Sequence, residues 1–339
     1  MKILIAGFGS IGRRHFRNLR ALGVDDFIFL RSGRSTLPDD EIAAYPAETE
    51  IQAALAHRPD AVVVANPTAL HLDVAIPAAR AGCHLFLEKP LSHSHDGVDE
   101  LRDAVAAGGG QVLVGFQFRY HPGLARIRGW LNPSGNGGQS PAIGRPLSVR
   151  AHWGEYLPNW HPWEDYRKGY SARRDLGGGV VLTLCHPLDY LRWLLGEVTG
   201  LWAFTGRESD LGLEVEDTAE IGLRFANGVL GTVHLDYNQR PPSHHLEIIG
   251  TQGTIFWDNK DGAARLWRAD TAEWEIFSPP DGFERNDLFR AQMRHFLAVI
   301  RGGEAPRCTL GDGIHALDLA LAVYQSASSG QMVAWKQEL

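Results

Sequence analysis

Short, continuous apolar runs alternate with amphipathic stretches over the first 118 residues. "KILIAG" (2–7), "DFIFLR" (26–31), "DAVVVANP" (60–67), "HLFLEKP" (84–90) and "QVLVGFQ" (111–117) read as strands. Their lack of polar alternation suits a parallel sheet covered on both faces by helices. Between them, "IGRRHFRNLRALG" (11–23), "TEIQAALAHR" (49–58), "ALHLDVAIPAARAG" (69–82) and "DGVDELRDAVAAGGG" (96–110) read as helices. Thr49 is the expected N-cap of the second helix, and Pro77 is a candidate kink in the third. Strand and helix in strict succession predict a doubly wound α/β domain over 1–118.

After Arg119 the period changes. A glycine- and proline-rich loop (132–146) leads into stretches with the two-residue alternation of half-buried strands: "LSVRAHW", "DTAEIGLRF", "GVLGTVHLDY", "HHLEIIG", "GTIFWD" and "ARLWRA". Asn227-Gly228 marks a hairpin turn. Helices are expected near 178–195, 284–301 and 311–328. Residues 119–339 are therefore expected to form an α+β domain on a large, mainly antiparallel sheet.

Gly7, Gly9 and Gly12 stand in G-x-G-x-x-G spacing between the first strand and the first helix. Alone the spacing is a weak signal; this context makes it a dinucleotide fingerprint. Gly7 permits the tight turn, Gly9 the approach of a pyrophosphate, and Gly12 close packing of helix on strand. Gly7, Gly9, Ser10, Ile11 and Gly12 are the expected pyrophosphate cradle at a helix N-terminus. An NAD site usually carries an acid at the end of the second strand. Here "FLRSGR" has no carboxylate between Arg31 and Leu37. Arg31, Ser32 and Arg34 suit a 2′-phosphate, so NADP is favoured over NAD, with dual use open. The alternative is that these arginines are solvated loop residues.

Composition narrows the class without choosing the chemistry. The 339 residues suggest two domains; 44% are hydrophobic and 22% charged, ordinary globular usage. A net charge of -7 argues against nucleic-acid or acidic-membrane binding through overall basicity. Cys83, Cys185 and Cys308 form no CxxC, so neither a disulfide framework nor a cysteine zinc site is expected. The apolar run "MKILIAG" is too short for a signal peptide, and no run approaches the ~18 residues that span a bilayer. A cytoplasmic protein is expected.

"VVVANPTALHLDVAIPAARAGCHLFLEKPLS" (62–92) and "GGGVVLTLCHPLDYLRWLLG" (177–196) resemble the Gfo/Idh/MocA family (glucose-fructose oxidoreductase, inositol dehydrogenase, rhizopine catabolism). The resemblance covers nearly the whole chain. It implies an N-terminal Rossmann domain, a C-terminal domain with an open, mainly antiparallel sheet, and NAD(P)-dependent oxidation or reduction of a sugar, cyclitol or related small molecule. It also implies a homodimer or homotetramer joined through the C-terminal sheet. By the same resemblance Asn66, Pro67, Thr68 and His71 line the cofactor, Glu88 is a cofactor-side contact, Lys89 a substrate-facing catalytic lysine, and His186 the catalytic histidine. One position departs from the pattern: many relatives carry aspartate four residues before the histidine, and Leu182 stands there. Thr183 takes the place where a related subgroup has aspartate. Asp189, one turn on, either orients His186 or serves the helix structurally.

Alcohol oxidation requires hydride loss and proton loss at one group. A lysine beside a cationic nicotinamide has reason to lose its proton more readily, and it can hydrogen-bond the reacting oxygen. Histidine titrates near neutrality and can move the proton. Hence His186 is read as general acid/base and Lys89 as the oxygen-orienting group, or the reverse. Pro90 restricts the backbone beside Lys89, and a cis Lys89-Pro90 bond fits.

The stretch 152–179 concentrates Trp153, Tyr156, Trp160, Trp163, Tyr166 and Tyr170 with Arg167, Lys168, Arg173 and Arg174. Trp163, Tyr166, Arg167 and Tyr170, with Thr183, Lys89 and His186, are the candidate substrate contacts: aromatic faces stack on sugar C–H surfaces and arginine suits a carboxylate or phosphate. A loop packed by its own aromatics, or a subunit contact, is the competing reading. The block also resembles a family subgroup linked to bacterial surface sugars, which implies a sugar, a sialic-acid-like sugar or a nucleotide-linked sugar. Fifteen histidines invite a metal, but no HExxH or Cys/His ligand spacing is present and neighbouring strand histidines point to opposite faces, so no metal is expected. Two other functions are compatible with the residues: redox-neutral, NAD-dependent glycoside cleavage, and a non-catalytic NAD(P)-binding sensor.

Overall fold

The computed structural model describes residues 1–33, 38–132 and 140–335. The chain forms two compact units. The first comprises Met1–Gln117, Asp175–Gly177 and Glu284–Leu317; the second comprises Phe118–Arg174, Gly178–Phe283 and Asp318–Leu339. The first unit is thus discontinuous in sequence.

In the first unit the chain runs through β1 (Lys2–Ala6), α1 (Ser10–Ala21), β2 (Asp26–Leu30), β3 (Ala47–Glu48), α2 (Ile51–Ala56), β4 (Ala61–Val64), α3 (His71–Arg80), β5 (His84–Leu87), α4 (Val98–Gly108) and β6 (Val112–Val114). The six strands are parallel in the order β3-β2-β1-β4-β5-β6. Their apolar runs are buried because helices take both faces: all of Ile3–Ala6, Ala61–Val64 and Leu85–Leu87 are fully covered. The order reverses at β1 and β4, and ligands bind outside the carboxyl ends of strands at such a switch. The helix capped by Thr49 in the sequence reading has Glu50 as its N-cap, with no side-chain capping bond.

The second unit holds α5 (Pro122–Leu131), β7 (Pro146–Gly154), α6 (Val180–Thr183), α7 (His186–Leu195) and β8 (Val198–Gly206). It continues with β9 (Thr218–Phe225), β10 (Leu230–Asp236), β11 (Ser243–Gly250), β12 (Gly253–Asp258), β13 (Ala264–Arg268) and β14 (Glu273–Phe277). Then α8 (Arg285–Ile300) falls in the first unit, α9 (Leu310–Ser329) runs across the division, and β15 (Val333–Ala334) closes the second sheet. That sheet has nine strands in the order β14-β13-β12-β11-β7-β10-β9-β8-β15. Every pairing is antiparallel except β7 with β10. The two-residue alternation buries one face, with Val149, Ala151 and Trp153 from β7 and Val233 and Leu235 from β10. Asn227-Gly228 turns β9 into β10 as expected, with Gly228 in the left-handed region (φ 86°) and the Asn227 side chain accepting from the Val229 amide.

The structure corrects the second half at two points. The single helix expected over 178–195 is two, α6 and α7, separated at Leu184 and Cys185. Pro187 explains the restart: it lacks an N–H and belongs in a first turn. Helix α5 also lies where no helix was expected, its apolar face on β12 and β13.

Candidate functional site

In the first unit the fingerprint residues meet at the carboxyl edge of the parallel sheet. Gly7 adopts φ 92°, and a Cβ there would lie 2.6 Å from the Asn66 amide nitrogen. A Cβ on Gly12 would lie 2.0 Å from the Gly7 carbonyl oxygen, so this glycine lets α1 touch the strand end. A Cβ on Gly9 would meet nothing within 4 Å. The space over Gly9 is open, and the amides of Ser10, Ile11 and Gly12 have no carbonyl of their own helix to bond. No acidic side chain sits in the first turn of α1. This donor set fits a pyrophosphate.

The strand ends carry the next members. Asn66 follows β4; its Nδ2 donates to the Leu70 carbonyl at 2.8 Å, while its buried Oδ1 has no hydrogen-bond partner among the described residues. A buried acceptor left in this way suits a ribose hydroxyl. Pro67 starts the short turn Thr68–Leu70, in which Thr68 is buried. His71 donates from Nε2 to the Asn66 carbonyl at 3.0 Å, and burial pushes its pKa down.

Glu88 follows β5 and is buried. Burial pushes its pKa up, but the hydrogen bond from His15 and the charges of His15 and Lys89 outweigh this and hold it below the usual value. His15 Nε2 lies 2.6 Å from Glu88 Oε1, with both side chains out of solvent. His15 was not singled out from the sequence. The available signal was its place in α1, one turn after Gly12, on the buried face. A Cβ on Gly115 would meet the Glu88 carboxylate at 3.1 Å, so the residue that follows β6 leaves room for it. Lys89 comes next, half-buried, its amide donating to Glu88 Oε2 at 3.2 Å and its bond to Pro90 cis.

At the end of β2, Arg31 is half-buried and Ser32 exposed. Arg34 lies outside the described residues. The Arg31 guanidinium forms an ion pair with Asp39. The stretch without a carboxylate in sequence therefore acquires one by folding.

In the second unit His186 is the first residue of α7 and is buried. Its ring packs on Phe118 (5.0 Å between centroids) and Trp153 (5.3 Å). Trp153 in turn stacks on His244 at 4.3 Å, and the hydroxyl of Tyr190 lies 3.3 Å from His244 Nε2. Asp189 is bound by Arg119: Nε reaches both carboxylate oxygens at 3.1 and 3.0 Å, and Nη2 reaches Oδ1 at 2.6 Å. Both side chains are buried. This fork is the structural use of Asp189 that the sequence left open.

Thr183, the last residue of α6, is buried beside Tyr237. Burial pushes the Tyr237 hydroxyl well above its usual pKa, against a hydrogen bond with Thr183. Close by is an acid the sequence reading missed. Glu216 accepts from the Tyr324 hydroxyl at 2.8 Å and from the Val181 amide at 3.2 Å, and burial raises its pKa. Gly179, at φ 112°, leaves room for that carboxylate: a Cβ would approach it to 2.3 Å.

The aromatic stretch divides by exposure. Trp153 lies in the core on β7, whereas Trp163 is 62% and Tyr170 37% exposed, and Arg167 is exposed. Tyr166 is half-buried and its hydroxyl donates to the Leu211 carbonyl at 3.0 Å, so it pins the loop. Arg167 lies over the Tyr166 ring at 4.9 Å.

Comparison with known proteins agrees with both halves. Residues 1–116 match a family model described as the oxidoreductase family, NAD-binding Rossmann fold. Residues 139–256 match the GFO/IDH/MocA C-terminal domain. A 1,5-anhydro-D-fructose reductase of Ensifer adhaerens is 28% identical over 80% of this chain and 78% of its own. A myo-inositol 2-dehydrogenase of Thermotoga maritima is 26% identical over 98% of both chains. Among solved structures, a levoglucosan dehydrogenase in complex with NADH and levoglucosan superposes with a TM-score of 0.83 at 21% identity, over 99% of this chain and 100% of its own.

Proposed function

The chain belongs to the Gfo/Idh/MocA family of NAD(P)-dependent oxidoreductases acting on CH–OH groups, and we propose that its substrate is a sugar, cyclitol or nucleotide-linked sugar. The observation that carries the dinucleotide-dependent reading is the set of groups at one sheet edge: open space over Gly9, the Oδ1 of Asn66 with no partner among the described residues, and Glu88 fixed by His15 immediately before Lys89; the relatives' substrates support the carbohydrate class. The nicotinamide, when bound, accepts or returns the hydride.

Lys89 is assigned to hold the reacting oxygen, since an ammonium or amine there hydrogen-bonds an alkoxide better than a neutral alcohol. His186 is assigned to take or give the hydroxyl proton. Thr183, buried beside Tyr237, is assigned to orient substrate from the position where a subgroup of relatives carries aspartate. Of the aromatic stretch, Trp163, Arg167 and Tyr170 have the exposure a substrate contact needs; Tyr166 supports them by fixing the loop. The redox-neutral and sensor readings are not favoured, because the relatives carry dehydrogenase and reductase names.

For the cofactor, the proposal is NADP ahead of NAD, held at its 2′-phosphate by Arg31 and Ser32. Asp39 opposes this, because a 2′-phosphate on Arg31 must displace a carboxylate. The proposal extends to a homodimer or homotetramer formed through the outer face of the nine-stranded sheet, which exposes Trp202, Phe204 and Leu230. No helix among the described residues is long and apolar enough to cross a membrane.

The test is a panel of sugars, inositols and nucleotide sugars read at the nicotinamide absorbance with NAD and NADP in parallel. Turnover of at least one member is expected. Silence across the panel with demonstrated cofactor binding would remove the dehydrogenase assignment.

A further inference from the structure

Strand register lines up one row of side chains across the outer face of the nine-stranded sheet. Glu220 on β9 pairs with His234 on β10, His234 with His152 on β7, His152 with His245 on β11, and His245 with Asp258 on β12. Side chains alternate along a strand, so this row faces away from Trp153, which packs on His186, and from His244, which stacks on Trp153. His244 and His245 lie on opposite faces, as strand alternation requires, and register brings His152, His234 and His245 onto one. The His152 ring lies 4.6 Å from that of His234 and 5.0 Å from that of His245, nearly parallel to both.

One ligand atom from each of His152, His234 and Asp236 lies within 4.8 Å of the other two. Three further features resemble a built coordination shell. Asp236 is buried, and its Oδ1 accepts from the amides of Asn238 and Gln239, each at 2.6 Å, which leaves Oδ2 directed at His234 Nε2 at 2.9 Å. The other nitrogen of His234, Nδ1, is 2.6 Å from Glu220 Oε1. A carboxylate behind a histidine in this way fixes the ring and raises its basicity toward a metal. His152 Nε2 is buried and has no hydrogen-bond partner among the described residues.

We propose that His152, His234 and Asp236 bind one divalent first-row transition ion, with Glu220 as the supporting carboxylate. Two imidazoles and one carboxylate suit zinc, nickel or copper rather than magnesium or calcium. Bonds of about 2.0–2.2 Å put neighbouring ligand atoms about 3–3.5 Å apart, a spacing that His234 and Asp236 nearly have already. The ion would bridge β7 and β10, the parallel pair in an otherwise antiparallel sheet, and parallel pairing is the slightly weaker kind. Its role is therefore to brace the middle of the second unit, apart from the face that carries His186.

The full chain, stripped of metal with a chelator, is titrated with Zn²⁺ against a chromophoric competitor, and thermal unfolding is followed with and without the ion. One equivalent per chain at micromolar affinity or tighter is expected, with a rise in Tm. His152→Ala and His234→Ala should each weaken binding at least tenfold and remove the rise in Tm. Glu220→Gln, a near-isosteric change that removes only the carboxylate charge, should weaken binding about 10- to 100-fold. His161→Ala, outside the row, should leave the equivalent unchanged. Absence of a saturable equivalent, or its retention in both His152→Ala and Glu220→Gln, overturns the proposal.

Discussion

Arg31 and Asp39 show how one residue pair changes the reading of a cofactor site. A window of sequence from Arg31 to Leu37 contains only cationic and neutral side chains, so a 2′-phosphate is the natural partner. Folding returns Asp39 to the guanidinium, and the local charge becomes a balance. Arg31→Ala should therefore lower kcat/KM for NADP relative to NAD by about tenfold or more, the loss of one charge-assisted contact. Asp39→Asn should move the ratio the other way. Steady-state kinetics with both cofactors checks the pair; an unchanged ratio in both variants would place the 2′-position elsewhere. The contrast with Gly7, Gly9 and Gly12 is instructive. Their geometry was legible because it is local: a turn, an open approach, and a helix against its own strand. His15 with Glu88 and Arg119 with Asp189 were not, because a buried ion pair between residues 73 and 70 positions apart leaves no periodic trace.

At the scale of elements, the β1-turn-α1 unit allows two glycines to be told apart. Gly9→Ala adds a methyl to open space, so the fold should keep its Tm while dinucleotide affinity falls about tenfold or more. Gly12→Ala drives a methyl into the Gly7 carbonyl, so stability itself should fall, by about 1–3 kcal/mol for an overpacked site. Calorimetry with cofactor titration separates the two, and equal losses of Tm would contradict the assignment. The start of α5 gives a pH-dependent term. His121 accepts from the Gly123 amide at 3.1 Å and packs on Trp257, and burial lowers its pKa to about 4. Unfolded, it titrates near 6.5, so the unfolded chain binds the extra proton first as pH falls. Stability is unaffected above that value and is lost between about 6.5 and 4, by roughly 3 kcal/mol in all. Unfolding in urea across this range should show a shallower slope for His121→Asn, which keeps a capping acceptor; an identical slope would remove the term. The break between α6 and α7 lies at the same scale. Apolar periodicity runs through 180–195 without a gap, and Pro187 was the one visible mark of the restart.

For the whole molecule, the alternation of β7 to β13 and the strand-helix succession before residue 118 made the two sheet types legible. The return of α8 to the first unit was hidden, since an amphipathic helix does not declare which sheet it covers. The exposed apolar side chains of β8 and β10 belong to this scale too. Light scattering on the purified chain should give two or four times the monomer mass, and Phe204→Lys should lower it; a monomeric wild type would contradict assembly through this face. The central claim is that Lys89 and His186 perform the chemistry on a carbohydrate carbon. Its most direct test is turnover of the panel's best substrate by Lys89→Ala and His186→Ala, with dinucleotide binding measured on the same samples. A fall in kcat of about 10²-fold or more in each, with binding retained, is the expected result. Unchanged turnover in either would contradict it.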